Sequence, residues 1–447
     1  MITIIRCMGA MEVLTTLLLS VASLHSSAAS PPLGYRSTLT HVDSHGSFTK
    51  TELMRRAAHR SRHRASMMLS RYFTMSTSSD AGPARLRSGQ AEYLMELAIG
   101  TPPVPFVALA DTGSDLTWTQ CQPCKLCFPQ DTPIYDTAVS SSFSPVPCAS
   151  ATCLPIWSSR NCTASSSPCR YRYAYGDGAY SAGVLGTETL TFPGAPGVSV
   201  GGIAFGCGVD NGGLSYNSTG TVGLGRGSLS LVAQLGVGKF SYCLTDFFNT
   251  SLGSPVLFGA LAELAAPSTG AAVQSTPLVQ SPYVPTWYYV SLEGISLGDA
   301  RLPIPNGTFD LRDDGSGGMI VDSGTTFTFL VESAFRVVVD HVAGVLRQPV
   351  VNASSLDSPC FSAATGEQQL PAMPDMVLHF AGGADMRLHR DNYMSFNQEE
   401  SSFCLNIAGS PSADVSILGN FQQQNIQMLF DITVGQLSFM PTDCGKL

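Results

Sequence analysis

Two short stretches of this chain share one pattern: FVALADTGSDLTW, from Phe106 to Trp118, and GMIVDSGTTFTFL, from Gly318 to Leu330. In each, an apolar run is followed by Asp, a small hydroxyl residue, Gly, and then Ser or Thr. The apolar run predicts a buried strand that delivers the carboxylate of its Asp into a low-dielectric environment. Because the motif occurs twice, we predict two related lobes that each contribute one carboxylate.

The residues that follow each aspartate have the hydrogen-bonding groups that a carboxylate needs. The hydroxyl beside the Asp can orient neighbouring groups, and the later hydroxyl can hold the outer carboxylate oxygen. The glycine has no Cβ and therefore lets another backbone approach closely. These supporting residues are Thr112, Gly113 and Ser114 in the first loop and Ser323, Gly324 and Thr325 in the second.

The two aspartates themselves, Asp111 and Asp322, are the candidate catalytic pair. Two adjacent carboxylates cannot both ionise cheaply, so the pair shares one proton and titrates as a unit. The ionised member can take a proton from water while the protonated member polarises a carbonyl or protonates the leaving nitrogen. This predicts peptide-bond hydrolysis without a covalent intermediate, a cofactor or a metal. The alternative is two unrelated tight turns that use Asp as a turn residue.

The composition indicates a folded protein of many short strands. Of 447 residues, 44% are hydrophobic and only 13% are charged, with 43 Gly and 28 Pro. These proportions predict a mostly β protein with tight turns. Two weaker repeats, TVGLGRGSLSL (Thr221–Leu231) and VSILGNFQQQN (Val415–Asn425), follow the two Asp motifs in the same order. They support the prediction of two related lobes.

The N-terminus has the features of a secretory signal peptide over residues 1–29. Arg6 precedes the apolar run VLTTLLLSVASL, and small residues follow, so cleavage is expected near Ala28 or Ala29. A membrane anchor is the alternative, but this run is short for a bilayer. Secretion would place the protein in the extracellular space (apoplast), with the vacuole as a second destination.

Charge divides the rest of the chain. Pro31–Ser88 carries a net charge of +7, whereas Gly89–Leu447 carries −16. A basic arm for nucleic acid is one interpretation, but a secreted protein has little use for one. We instead predict that residues 30–88 are a propeptide and linker, with a helix over Thr51–Phe73, that lie on the acidic body and leave it later. Conversion to a shorter form is expected below about pH 5.

The cysteines agree with an oxidising compartment, because 12 of the 13 lie outside the predicted signal peptide and can pair. The stretch CQPCKLC (Cys121–Cys127) has a spacing seen in metal sites, but in this compartment a disulfide-stapled surface insertion is the better interpretation. Five sequons are candidate glycosylation sites: Asn161, Asn217, Asn249, Asn306 and Asn352.

Other hydrolase and nucleotide-binding signatures are missing from the sequence. The stretch GLGRGS (Gly223–Ser228) lacks the lysine of a phosphate-binding loop and is better explained as a turn after an apolar strand. The chain has neither H-E-x-x-H of zinc peptidases nor G-x-S-x-G of serine hydrolases. The paired Asp motifs therefore remain the main functional signal.

Three stretches, ADTGSDLTWTQC, YRYAYGDGAYSAGVLGTETLTF and IVDSGTTFTFL, resemble the pepsin-like aspartic proteases, and within them the nepenthesin-like plant group. The resemblance implies an all-β, bilobal fold with a catalytic Asp from each lobe and a cleft between lobes. It implies a β-hairpin flap over the cleft, with Tyr175 as the flap tyrosine beside Gly176, and Trp118 as its support. It also implies that the early basic segment is an inhibitory propeptide.

The same resemblance extends to the organisation of the chain. It implies an N-terminal lobe over residues 89–275, with the Cys-rich insertion and the flap, and a C-terminal lobe over 276–447. It pairs Cys360 with Cys404 and makes Cys444 a bonded cysteine. Polypeptides are the expected substrates of a monomer that binds neither nucleic acid nor membrane. The alternative function is a catalytically silent binding protein, such as the plant inhibitors of cell-wall glycosidases.

Overall fold

The fold is given by a computed structural model that describes residues 34–74, 92–156, 164–174, 179–194, 197–213, 218–265, 272–351, 358–363, 369–411 and 414–447. Strands dominate these ranges, and the predicted all-β, two-lobed class is confirmed. The predicted signal peptide lies outside the described residues. Among the described residues, no helix is both long enough and apolar enough to cross a membrane.

The regular elements alternate short strands with a few helices. The helices are α1 (Lys50–Thr74), α2 (Leu231–Leu235) and α3 (Glu332–Leu346). The strands up to the middle of the chain are β1 (Gly34–His41), β2 (Tyr93–Ile99), β3 (Val104–Asp111), β4 (Trp118–Gln120), β5 (Ser144–Pro145), β6 (Arg170–Ala174), β7 (Tyr180–Phe192), β8 (Val198–Gly212), β9 (Gly220–Gly223), β10 (Lys239–Cys243) and β11 (Ser254–Gly259).

The second half of the chain continues in the same way. Its strands are β12 (Gln274–Val279), β13 (Tyr289–Val290), β14 (Leu292–Leu297), β15 (Ala300–Arg301), β16 (Met319–Val321), β17 (Thr328–Leu330), β18 (Val350–Val351), β19 (Cys360–Ser362), β20 (Met376–Phe380), β21 (Ala384–Leu388), β22 (Met394–Asn397), β23 (Ser402–Leu405), β24 (Ile407–Gly409), β25 (Ser416–Leu418), β26 (Ile426–Asp431) and β27 (Gln436–Pro441).

The repeated sequences form the same strand pair in each lobe. Strand β3 pairs in parallel with β9, which sets Asp111 beside Gly223. Strand β16 pairs in parallel with β25, which sets Val321 beside Leu418. Buried parallel strands need apolar residues on both faces, and this accounts for the continuous apolar runs before each Asp. Both runs therefore end at the same place in their lobe, with the aspartate at the strand end.

The two lobes are joined through the large 19-stranded sheet, in which β10 of the first half pairs antiparallel with β26 of the second. Two smaller sheets of four strands each belong to the second half: β15-β14-β20-β21 and β18-β19-β23-β22. Apolar side chains from both halves fill the core between these layers, with Phe240 stacked on Phe430 at 4.8 Å between ring centroids.

The basic N-terminal segment is integrated into this architecture. Strand β1, which the sequence did not predict, pairs antiparallel with both β2 and β11. The predicted helix is confirmed as α1, which begins with a capping box: Thr49 N donates to Glu52 Oε2 at 2.7 Å, and Glu52 N donates to Thr49 Oγ1 at 3.2 Å. The basic segment is thus anchored by a strand and extended by a helix.

Disulfides staple the insertion, the second half and the C-terminal end of the chain. The described pairs are Cys121–Cys207, Cys124–Cys127, Cys153–Cys169, Cys243–Cys444 and Cys360–Cys404, and Cys148 is also bonded. All three cysteines of the CQPCKLC stretch are therefore in disulfides and are not available as thiolate ligands.

Candidate active site

The first Asp loop holds its carboxylate with two hydrogen bonds from within the loop. Asp111 is buried at the end of β3. Its Oδ1 accepts from Gly113 N at 2.9 Å, and its Oδ2 accepts from Ser114 Oγ at 2.6 Å. The serine therefore holds the outer oxygen, in the arrangement that the sequence predicts for this residue type.

The second loop repeats this geometry. Asp322 follows β16 and is also buried. Its Oδ1 accepts from Gly324 N at 3.0 Å, and its Oδ2 accepts from Thr325 Oγ1 at 2.5 Å. The two carboxylates thus have equivalent donors at equivalent atoms.

The two loops also bind each other, which brings the aspartates together. Thr112 Oγ1 accepts from Ser323 N at 2.9 Å and lies 3.2 Å from Ser323 Oγ. Each loop is held from outside through a backbone carbonyl. Trp287 Nε1 donates to the Gly113 carbonyl at 3.2 Å, and Asn420 Nδ2 donates to the Ser323 carbonyl at 2.8 Å.

Arg64 of α1 lies between the two carboxylates. Its Nη2 is 2.5 Å from Asp111 Oδ1 and 3.0 Å from Asp322 Oδ1, and its Nε is 2.9 Å from Asp322 Oδ2. Burial alone would lower the pKa of Arg64, but the two carboxylates raise it above its ordinary value. Burial likewise would raise the pKa of Asp322, but the positive charge of Arg64 and its hydrogen bonds lower it. Hydrogen bonds from Thr325 and Gly324 lower it further. In this conformation the Arg64 guanidinium therefore occupies the space between the Asp111 and Asp322 carboxylates.

The motif glycines make room for this guanidinium. A Cβ added at Gly113 would lie 2.7 Å from Arg64 Nη2, and one added at Gly324 would lie 2.6 Å from Arg64 Cζ. The expectation that these glycines admit a second backbone is therefore wrong for this state of the molecule. The group that approaches them is a side chain of α1.

A second ion-pair cluster lies one helical turn earlier. Arg60 is fully buried and pairs with Asp43 and Glu92, its Nε lying 2.9 Å from Glu92 Oε2. Burial would raise the pKa of Glu92, but Arg60 and the nearby His41 lower it to about 2. His41, Asp43 and Glu92 are close enough to hold a metal ion, yet Arg60 already binds both carboxylates and Arg56 also pairs with Asp43.

Neutral contacts complete the docking of α1. Ser61 Oγ accepts from Thr326 N at 3.0 Å and from Phe327 N at 3.2 Å, which satisfies two buried backbone donors of the second loop. Apolar residues of the helix share one buried cluster with aromatic residues of the body. The cluster includes Leu53, Met54, Ala57, Ala58, Ala65 and Met68 from α1, and Phe247, Trp287, Phe327 and Phe421 from the body.

The predicted flap lies partly outside the described residues. Strands β6 and β7 form an antiparallel hairpin in which Ala174 pairs with Tyr180, but Tyr175 and Gly176 lie outside the described ranges. Trp118 is fully buried in a cluster with Tyr171 of this hairpin. The tryptophan thus packs under the hairpin that leads to the predicted flap tip.

Two sequons can be located in the structure. Asn249 and Asn306 are exposed. The other three, Asn161, Asn217 and Asn352, lie outside the described residues.

The sequence by itself did not single out the residue that reaches the carboxylates. It predicted a basic segment that covers the body but did not choose among its cations. The signal was present in the spacing, because Arg56, Arg60 and Arg64 lie four residues apart and therefore on one face of a helix. All three form ion pairs with carboxylates on or beside the body.

Comparison with known proteins agrees with this architecture. Residues 93–260 match the family described as xylanase inhibitor, N-terminal, and residues 287–441 match xylanase inhibitor, C-terminal. Aspartic proteinase nepenthesin-1 of Nepenthes gracilis is 43% identical over 415 residues, covering 92% of this chain and 91% of the relative. Aspartic proteinase nepenthesin-2 of the same plant is 41% identical over 424 residues, covering 94% and 93%.

Solved structures are similar in fold at much lower identity. The crystal structure of edgp superposes with a TM-score of 0.66 at 17% identity and covers 93% of this chain and 96% of that one. Basic 7S globulin from soybean gives a TM-score of 0.64 at 18% identity, with 92% and 98% covered.

Proposed function

Because the chain belongs to the pepsin-like aspartic proteases, in their nepenthesin-like plant subgroup, we propose that it is a precursor that Arg64 keeps inactive and acid converts. The mature protein is an aspartic-type endopeptidase that acts on polypeptides. In this proposal residues 1–29 direct secretion, 30–88 inhibit the enzyme, and 89–275 and 276–447 are the catalytic lobes.

The observation that carries the proposal is the pair of matching carboxylates, Asp111 and Asp322, bound to one guanidinium. Arg64 Nη2 contacts the inner oxygen of both aspartates. A water molecule that reaches both carboxylates would have to occupy this same space. The helix therefore blocks the reacting position itself, and its departure opens that position.

Departure of α1 also restores the charge state that hydrolysis needs. Without the guanidinium, two neighbouring carboxylates cannot both stay ionised, so one of them takes up a proton. Ser114 and Thr325 continue to hold the outer oxygens, while the inner oxygens keep their bonds from Gly113 N and Gly324 N but lose Arg64 and can bind water. The ionised Asp then removes a proton from water as the oxygen attacks the peptide carbon, and the protonated Asp polarises the carbonyl oxygen. Transfer of a proton to the leaving nitrogen completes the cleavage.

The acid requirement follows from the ion pairs of the precursor. A carboxyl whose pKa is depressed in the closed state stabilises that state above its ordinary pKa, and the stabilisation is lost as pH falls. Asp322 and Glu92 both have depressed pKa values here. We therefore expect the release of α1 to require a pH below the ordinary pKa of a free carboxyl group.

The test is an activity profile of the full-length precursor after acidification. Cleavage of a denatured protein would be measured from pH 2 to 8 for the wild type, Asp111→Asn and Asp322→Asn. We expect acid activity in the wild type and a loss of about 10³-fold or more in either variant, since each removes one half of the acid–base pair. Asp313→Asn, which changes an exposed aspartate, is the matched control.

A binding protein on the same fold is the second candidate. The observation that favours it is the description of both matching family models as a xylanase inhibitor. It requires no dyad, whereas this chain keeps both Asp loops with complete hydrogen bonding. A folded, processed wild type without peptidase activity would support this candidate, and glycosidases of the plant cell wall would be the first partners to test.

A further inference from the structure

Asp115 is an additional carboxylate beside the dyad, and the proposed mechanism gives it no role. It follows the first motif directly and is partly buried. Its Oδ1 accepts from Gly227 N at 2.8 Å, and its Oδ2 accepts from Thr286 Oγ1 at 2.6 Å. Both donors are neutral. Among the described residues, the charge that acts on it is that of Asp111 rather than a cation.

The GLGRGS stretch (Gly223–Ser228) provides the space for this carboxylate. A Cβ added at Gly225 would lie 2.4 Å from Asp115 Oδ1, and one at Gly227 would lie 2.3 Å from Asp115 Oδ2. A Cβ at Gly223 would lie 2.2 Å from the Asp115 backbone. The glycines of this stretch have a spacing similar to that of a phosphate-binding loop. The space that they leave is filled by the Asp115 carboxylate of the same chain.

Thr286, the second partner of Asp115, begins a segment that reaches the other aspartate. We call Thr286–Val290 the bridging segment. Its Trp287 Nε1 donates to the Gly113 carbonyl of the first loop at 3.2 Å. Its Tyr288 carbonyl accepts from Val321 N, the residue before Asp322, at 2.9 Å. A continuous set of contacts thus runs from Asp115 to the strand that delivers Asp322.

The pairing of strands makes this connection rigid. In the bridging segment, β13 pairs antiparallel with β16, with Tyr289 opposite Ile320. The Tyr288 hydroxyl donates to the Leu224 carbonyl at 2.8 Å, which ties the segment to the loop after β9. A shift of Thr286 would therefore move both Asp loops relative to each other.

We propose that Asp115 is a positioning residue for the dyad, fixing the bridging segment to the first loop and so holding Asp111 and Asp322 at the separation at which they share a proton. The inference rests on the proposed peptidase function and adds a third carboxylate to it. Because the geometry of the dyad matters most in the chemical step, its loss should lower kcat more than it raises KM.

The charge of Asp115 gives a second readout. The titratable groups that interact with it are Asp111, Tyr173 and Tyr288, and burial raises its pKa, as does the Asp111 charge. A negative Asp115 disfavours a second negative charge on the dyad. Removing this charge while keeping the hydrogen bonds should therefore move the alkaline limb of the activity profile to lower pH.

The experiment uses mature enzyme prepared from the full-length precursor by acid conversion. Asp115→Ala removes the anchor, and we expect kcat at least about tenfold lower, with KM within about threefold. In Asp115→Asn, the amide oxygen can accept from Gly227 N and the amide nitrogen can donate to Thr286. It should restore most of kcat but shift the alkaline limb. Asp299→Ala, at an exposed turn, is the control.

Thr286→Val tests the same link from the other side and keeps the shape of the side chain. We expect its kcat to fall about threefold, and the double variant with Asp115→Ala to be no slower than Asp115→Ala alone. The proposal is overturned if Thr286→Val keeps the wild-type kcat, if the losses multiply, or if Asp115→Ala behaves like Asp299→Ala. An inactive wild type would instead refute the proposed function, so the two failures are distinguishable.

Discussion

The loops of Asp111 and Asp322 are nearly identical around the carboxylate and differ four residues later. In the first loop that position is Asp115, whose carboxylate binds Gly227 and Thr286 of the body. In the second loop it is Thr326. Its Oγ1 donates to Glu92 at 2.9 Å, and its backbone N donates to Ser61 of the propeptide helix at 3.0 Å.

This difference between the two Asp loops concerns what each loop is anchored to. Contacts beyond the first loop are internal to the body, so they would persist through the proposed activation. Beyond the second loop, the contact to Glu92 is also internal to the body, but the contact to Ser61 belongs to the proposed propeptide and would be lost on the proposed activation. Arg64 of α1 binds the carboxylates of both loops, Asp111 and Asp322. We therefore expect latency to depend most on Arg64 and then on residues around the second loop.

The largest effect is expected from Arg64→Ala in the precursor. Breaking a buried ion pair costs about 3–5 kcal/mol. The precursor with α1 docked should therefore lose most of its stability relative to the open form near neutral pH. We expect the full-length variant to cleave itself and a peptide substrate at pH 6, where the wild type stays intact. Arg55→Ala is the control, because Arg55 lies on the same helix but pairs with Glu399 at the surface. Equal conversion of the two variants would contradict the blocking role.

A smaller effect is expected from Glu92→Gln, which weakens the ion-pair cluster beside the second loop. The pKa of Glu92 lies at about 2, below its ordinary value of 4.5. The pair with Arg60 therefore stabilises the precursor fully above about pH 4.5, and this is lost as pH falls towards 2. The variant lacks this stabilisation, so we expect half of its precursor to be converted at a pH about one unit higher than for the wild type.

The control for this change is Glu399→Gln. It removes an exposed carboxylate of the body that pairs with Arg55 of the same helix. Half-conversion would be followed by gel electrophoresis after a fixed time at each pH. If Glu92→Gln converts at the same pH as Glu399→Gln, the buried cluster does not contribute to the acid threshold.

The smallest effect is expected from Ser61→Ala. The change leaves Thr326 N and Phe327 N without their acceptor, and an unsatisfied buried donor costs about 1–3 kcal/mol. The half-conversion pH should rise, but by less than in Arg64→Ala, and the mature enzyme should be unaffected because the serine is no longer present. His59→Ala, exposed on the same helix, should match the wild type; if it equals Ser61→Ala, the hydrogen bonds are not the cause.

Local pattern was sufficient to predict much of this molecule. The two apolar runs ending in Asp predict the buried strands β3 and β16, because a chain buried on both faces needs apolar residues at successive positions. The helix α1 follows from its run of helix-forming residues; it is predicted over Thr51–Phe73 and observed over Lys50–Thr74. Strand β1 was missed, since its short alternating pattern is stable only between β2 and β11.

The sequence by itself determined the chemistry of this protein: two carboxylates, each with a hydroxyl and a glycine at fixed positions, and a basic segment before an acidic body. Only the tertiary structure decided which basic residue closes the dyad and what Asp115 binds. Arg64 is separated from Asp322 by 258 residues, and Asp115 from Thr286 by 171. Contacts over such separations depend on how helices and strands dock, and no local spacing encodes that docking.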